Sequence, residues 1–304
     1  MIDLVVQHLA WVQNPVVVAR QLLAGISNGM LLFLISAGLS LIFGVLRIIN
    51  FAHGSFFMLG AFIAVSVGAL APGGSGSFAG ALIGAAAGLA VLGVVLETGL
   101  LRRIYRAPHE YQLLLTFALV FILGDVAKLI WGREDNSVAM PELLAGATRA
   151  FGLTFPTYRL FLIGVGIVIA GVLWWILHRT RWGIFVRAAT IDRGMLSALG
   201  VNTRWLFTAV FAAGAALAGL GGALAAPIVA VGPGLHVQVI IDAFVVVVIG
   251  GMGSVLGALV ASLLVGFVNA FGILAIPGAA VVLTFALMAV VLIVRPHGLF
   301  GTPE

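Results

Sequence analysis

The sequence predicts an all-α polytopic membrane protein of about eight or nine transmembrane helices, one of them short or broken, with a further short helix outside the membrane. Three observations predict it. The chain is 62% hydrophobic and only 8% charged, where a soluble domain carries about 25% charged residues. Its mean hydropathy is +1.25. Glycine makes up 40 of 304 residues, roughly twice the usual ~7%, an excess that lets helices in lipid approach closely and break. No stretch has the charge of a soluble domain, so residues 1–304 are read as a single transmembrane domain.

The elements follow in chain order. Met1–Arg20 has Asp3 and no basic residue ahead of its apolar part, so it does not read as a signal peptide. It is read as a short interfacial helix, interrupted at Asn14-Pro15. A membrane span needs ~20 apolar residues. Such stretches cover 21–46, 52–71, 78–101, 112–131, 158–178, 205–226 and 254–275, with a last span at 279–294. The segment 237–250 is apolar but has only 14 residues. It is either a short, broken span or a re-entrant half-helix.

Arginine placement sets the orientation. With nine crossings and the N-terminus outside, ten arginines fall on the cytoplasmic side: Arg47, Arg102, Arg103, Arg106, Arg179, Arg181, Arg187, Arg193, Arg204 and Arg295. Arg20, Arg133, Arg149 and Arg159 fall outside, and the single lysine, Lys128, lies near a span end. The loop 132–157 is then periplasmic, and 179–204 is the longest inner loop. The net charge of +5 records this orientation and is no sign of nucleic-acid binding.

Polar groups at membrane depth are costly and usually mark a pathway or a site. The run Asn50-Phe51-Ala52-His53-Gly54, wedged between two long apolar stretches, is the clearest case. Its glycine marks a helix break, and broken backbone at depth survives only where protein or water satisfies it. Asn50 and His53 either line a passage or satisfy the freed backbone. The arginine count puts this junction toward the cytoplasmic side, near an inner gate. Glu97, one turn before Arg102, is read as snorkelling to the inner surface. Asp125 and Lys128, three apart, are placed to pair on one helix face. Asp242 is either a helix cap or first-turn residue or a substrate contact. Gly250, Gly251 and Gly253 form either a tight turn, a hinge made possible by positive φ, or an anion nest.

Several chemistries are excluded. There is no cysteine, hence no disulfide or thiol catalysis. Lys128 is followed by Leu129, so no Walker A nucleotide motif exists. The six histidines show no paired metal spacing. The chain is not read as an enzyme, and no metal site is expected.

Within the inner loop, Phe185 to Leu199 predicts a short helix with Phe185, Ala188, Ala189, Met195 and Leu199 on one apolar face. Gly200 and Asn202 end it. Such a helix either meets a partner or rests on anionic lipid.

Four ordered blocks carry a resemblance. They are Gly38–Val45 followed by Ile49–Gly54 and Met58–Ala61; Trp182-Gly183 through Arg187–Ala189, Asp192 and Leu199–Asn202; Ala243–Gly257; and Arg295–Gly301. Together they resemble the branched-chain amino acid permeases of ABC importers, from about residue 21 to 301. The resemblance implies a bacterial or archaeal inner-membrane, multi-pass permease that moves branched-chain or other small hydrophobic amino acids inward. Related importers for urea, amides and other small solutes are the alternative, ahead of a stand-alone secondary transporter or channel. It also implies a second permease subunit, two ATP-binding cassette subunits that carry the ATP and Mg, and a periplasmic substrate-binding protein. This chain would itself bind no cofactor. The loop 179–204 becomes a coupling loop whose helix, through Arg187, Ala188, Asp192, Met195, Leu199 and Gly200, docks on the ATPase. One departure is Ile191, where the family often has an acidic residue. Another is Gly194, which weakens a helix by ~1 kcal/mol relative to Ala.

Overall fold

The computed structural model describes residues 13–70, 74–105, 107–150, 153–276 and 280–301. Among these described residues, seven helices are long and apolar enough to cross a membrane. They are α1 (Pro15–Leu46), α2 (His53–Leu70), α3 (Ser75–Leu96, prolonged to Ile104), α4 (His109–Trp131), α5 (Thr157–Arg179), α8 (Thr203–Ala225) and α10 (Val255–Ala275). Two shorter apolar helices complete the set, α9 (Leu235–Gly250) and α11 (Ala280–Val294). Between α5 and α8 lie two small helices, α6 (Arg181–Ile191) and α7 (Arg193–Ala198). The protein is an all-α polytopic membrane protein.

The first helix differs from its expected start. It begins at Pro15, at the Asn14-Pro15 break read from the sequence. The Asn14 side chain caps α1, accepting from Val16 N and Val17 N, with Pro15 at the first position, where proline fits because its missing N–H would be unpaired anyway. The interfacial helix expected over the first 20 residues otherwise falls mostly outside the described residues.

Helix α1 is the central post. Small residues set its contacts: Gly25 and Gly29 meet α10 at Phe267 and Leu263, Gly38 meets α8 at Gly214, and Met30 meets α5 at Gly166. A second close crossing joins α2 and α8, where a Cβ at Gly60 would strike the backbone of Gly219 and one at Gly222 would strike that of Phe57. Without a hydrophobic drive between helices in lipid, such van der Waals contact holds the bundle together.

One end of the bundle gathers arginines. Arg193 donates to Leu46 O at the end of α1 (3.2 Å), Arg47 to Thr190 O of α6 (3.4 Å), and Arg102 to Thr208 of α8 (2.5 Å). The chain's last described segment joins this end. Leu299 N and Phe300 N donate to Ile249 O and Gly250 O, which brings Arg295 beside the end of α9. At the opposite end the 132–157 connection holds a one-turn helix, Glu142–Leu144, and an unforeseen antiparallel hairpin, β1 (Ala147–Ala150) with β2 (Leu153–Pro156). A single bridge there ties Asn136 to Val231, just ahead of α9.

Candidate functional site

The connection between α1 and α2 is not a surface turn. Arg47 ends α1 in the left-handed conformation (φ 52°), and the next residues leave the helix path. The chain then runs back along α1. His53, first residue of α2, places Nε2 3.0 Å from Ile35 O, and its ring lies beside Gly38. Ile35 and Gly38 precede Leu46 by 11 and 8 residues, about 16 and 12 Å of helix. The junction therefore sits inside the bundle, nearer its arginine-rich end than the other.

Three polar side chains of this junction, Asn50, His53 and Ser55, are fully buried. Because Ile35 O only accepts, His53 Nε2 carries the hydrogen of that bond. Its Nδ1, both amide atoms of Asn50 and the Ser55 hydroxyl have no partner among the described residues. The surrounding wall is aromatic. Phe51 packs on Phe117 of α4 (5.6 Å between centroids) and Phe244 of α9 (5.1 Å), and His53 lies 6.0 Å from Phe56. Gly54 closes the junction against α9, since a Cβ there would meet Ile240 Cβ at 2.8 Å.

Asp242 is neither a cap nor a first-turn residue. It is the eighth residue of the 16-residue α9. Ile240 and Phe244, four apart, face the junction together, and Asp242, two residues from each, projects from another face. It is partly buried and without a hydrogen-bond or ion-pair partner among the described residues. Asn50, His53 and Gly54 are thus brought together, and Asp242 is held apart from them.

The glycine run at the end of α9 is a turn. Gly251 and Gly253 have φ +96° and +88°, and Ser254 N donates to Gly251 O (3.1 Å). Gly250 packs on Gly257, and Gly253 on Gly44 at the end of α1. Ser254 then caps α10 through Gly257 N (3.0 Å).

The expected single helix over 185–199 is two helices. Asp192 stops α6 and caps α7, its carboxylate accepting from Gly194 N (2.8 Å) and Met195 N (3.0 Å). An aspartate that bonds nearby N–H groups competes with continued helix. Gly200 (φ +84°) closes α7, and Asn202 caps α8. The faces also differ from expectation. Ala189 turns inward with Val186 and Leu196, and Ala188 packs partly on the core. Ile184, Phe185, Ile191, Met195 and Leu199 stay outside, with Ile191 82% and Leu199 74% exposed. Arg187 is exposed as well. Arg193 anchors the pair, reaching Leu46 O and lying 5.9 Å over the Phe207 ring. Burial, with Arg47 nearby, lowers its guanidinium from the ordinary value.

Sequence reasoning also misplaced Glu97. Glu97 does not snorkel outward but is fully buried. It accepts from Arg102 (2.9 and 3.3 Å), from the Tyr105 hydroxyl (2.7 Å) and from Thr208 (2.7 Å). A π turn over Glu97–Leu101, closed by Arg102 N donating to Glu97 O, makes the five-residue spacing work. Burial, then the bond to Glu97, holds the Tyr105 phenol above its usual range. The one signal in the sequence was an acid followed by arginine and tyrosine at the end of a span. As expected, Lys128 and Asp125 pair (2.8 Å).

Known proteins match this sequence along nearly its whole length. The model of the family described as branched-chain amino acid transport system / permease component matches residues 21–293. The high-affinity branched-chain amino acid transport system permease protein BraD of Pseudomonas aeruginosa is 29% identical over 297 residues, covering 94% of this chain and 96% of that one. LivH of Escherichia coli, of the same description, is 28% identical over 301 residues with the same coverage. A probable branched-chain amino acid transport permease protein of Methanocaldococcus jannaschii is 24% identical, covering 89% of each chain. With 273 of its 304 residues inside the family match, this chain belongs to the branched-chain amino acid transport system permease family.

Proposed function

We propose that this chain is the membrane-spanning permease subunit of an ATP-driven importer that moves branched-chain or other small hydrophobic amino acids inward by alternating access. The observation that carries the reading is the exposed apolar set on α6 and α7: Phe185, Ile191, Met195 and Leu199. These residues stand at the arginine-rich end, on elements outside the long spans, in a chain with no nucleotide motif of its own. They suit the groove of a separate ATP-binding subunit, which would hold ATP and Mg.

The mechanics follow from the anchors. Arg193 and Arg47 tie α6 and α7 to the end of α1, and the end of α1 leads directly into the Arg47–His53 junction. A push on α7 is thereby delivered to the buried junction. The passage for an apolar side chain is apolar, with a few polar groups for the substrate's charges. Asp242, the carboxylate of α9, suits the ammonium group. Asn50 and His53, with unused hydrogen-bonding capacity, suit the gate that opens when α1 and α2 part. The 132–157 hairpin region faces the substrate-binding protein, and a second permease subunit completes the pathway.

The test is Met195→Glu with Leu199→Glu, which charges the exposed set without touching a buried residue. Co-expressed ATP-binding subunit should purify with the unaltered chain and be lost from the double variant, both chains remaining monodisperse. Equal recovery of the ATPase with both would contradict the docking assignment.

A further inference from the structure

We propose that the end opposite the arginine-rich face carries a binding site for the phosphate of an anionic phospholipid headgroup. This site is independent of the transport reading. A cavity of about 540 Å³ opens between the first turns of α1, the hairpin and the start of α5, within the range of small-molecule sites. Two arginines line it, Arg20 of α1 and Arg159 of α5, together with Gln21 and Thr154. No carboxylate lines it among the described residues. Arg159 Nη1 is buried without a hydrogen-bond partner. Leu23 and Phe155 give the cavity an apolar side.

Chemistry and position both select the ligand. Two guanidinium groups without an acid between them favour an oxyanion, and the planar fork matches phosphate oxygens in pairs. Arg159 lies in the first turn of α5, where the helix dipole adds to the attraction. Depth selects the lipid. Arg20 precedes Leu46 by 26 residues, about 39 Å of helix, while the hydrocarbon layer is about 30 Å thick. With Leu46 at one interface, Arg20 stands in the headgroup layer of the other. The apolar side of the cavity accommodates the glycerol and the first methylenes of such a lipid.

The test is native mass spectrometry of the detergent-purified chain with dioleoyl-phosphatidylglycerol or dioleoyl-phosphatidylcholine, beside melting curves with inorganic phosphate. The unaltered chain should retain phosphatidylglycerol at least tenfold more than phosphatidylcholine. The double variant Arg20→Gln, Arg159→Gln should lose that preference. Gly146→Phe tests the space without removing a charge. A Cβ at Gly146 meets only Thr157 Oγ1 at 3.9 Å, so the fold tolerates the substitution while the ring fills the cavity, and the preference should again fall. If millimolar phosphate stabilises the unaltered chain but neither variant, and phosphatidylglycerol gains nothing over phosphatidylcholine, the anion chemistry stands and the lipid source is overturned. Equal retention of phosphatidylglycerol by all three proteins, with no response to phosphate, overturns the site.

Discussion

Glu97 and His53 are both polar, both fully buried, and opposite in how they are satisfied. Glu97 accepts from three side chains; His53 makes one bond and leaves Nδ1 unpartnered. Glu97→Gln keeps the shape but removes the charge that holds Arg102, Tyr105 and Thr208. Its expected cost is about 1.5–3 kcal/mol, the range for hydrogen bonds to charged groups, seen as a lower melting temperature in detergent. An unchanged melting temperature would show the network to be slack. His53→Ala loses a buried hydrogen bond and leaves a cavity, an expected loss of about 2–4 kcal/mol. Expression and melting temperature should both fall, and His53→Gln, which keeps an N–H donor, should recover part of the loss. The sequence marked His53 as costly, because an imidazole between two apolar stretches has few excuses. It misread Glu97 because the nearby Arg102 suggested an exit to the surface. What buries Glu97 is Thr208, 111 residues away in sequence, a contact no local pattern carries.

Element boundaries were legible where composition changes and illegible where one element leans on another. Apolar runs located the nine apolar helices among the described residues, since a span must satisfy its backbone internally and stay apolar throughout. Two connections show what escaped. The Arg47–Asn50 stretch looks like a short connector, and only the contact of His53 with Ile35 shows that it climbs back into the bundle. The apolar period across 185–199 continues through Asp192, so one helix was expected where capping by that aspartate makes two. The crossing of α2 and α8 depends on glycine pairs. A side chain at Gly60 meets the backbone of Gly219, which cannot swing aside. Gly60→Val should therefore separate the two helices at a cost of about 1–3 kcal/mol or more, while Gly164→Val, at a position with nothing within 4 Å, should be tolerated. Size-exclusion profiles and melting temperatures of the two variants check this. Equal behaviour would mean that the crossing is looser than drawn.

At the scale of the molecule, the polarity of the bundle links structure to transport. Arg47, Arg102, Arg193 and Arg295 converge on one end, as the arginine count alone had suggested. The same end presents the exposed residues of α6 and α7 and the tie from α7 to α1. The opposite end presents the hairpin and the two arginines of the cavity. A chain so built has a side on which force can be applied and a side from which a solute can be received. The central claim is that force on α7 opens the pathway. Its most direct measurement is uptake of labelled leucine into proteoliposomes that contain the permease subunits, the ATP-binding subunits enclosed with ATP, and the substrate-binding protein outside. Uptake should require ATP and the ATP-binding subunits, and should fall to background with Met195→Glu, Leu199→Glu. Leucine uptake by this chain alone, or undiminished uptake by the double variant, would contradict the account.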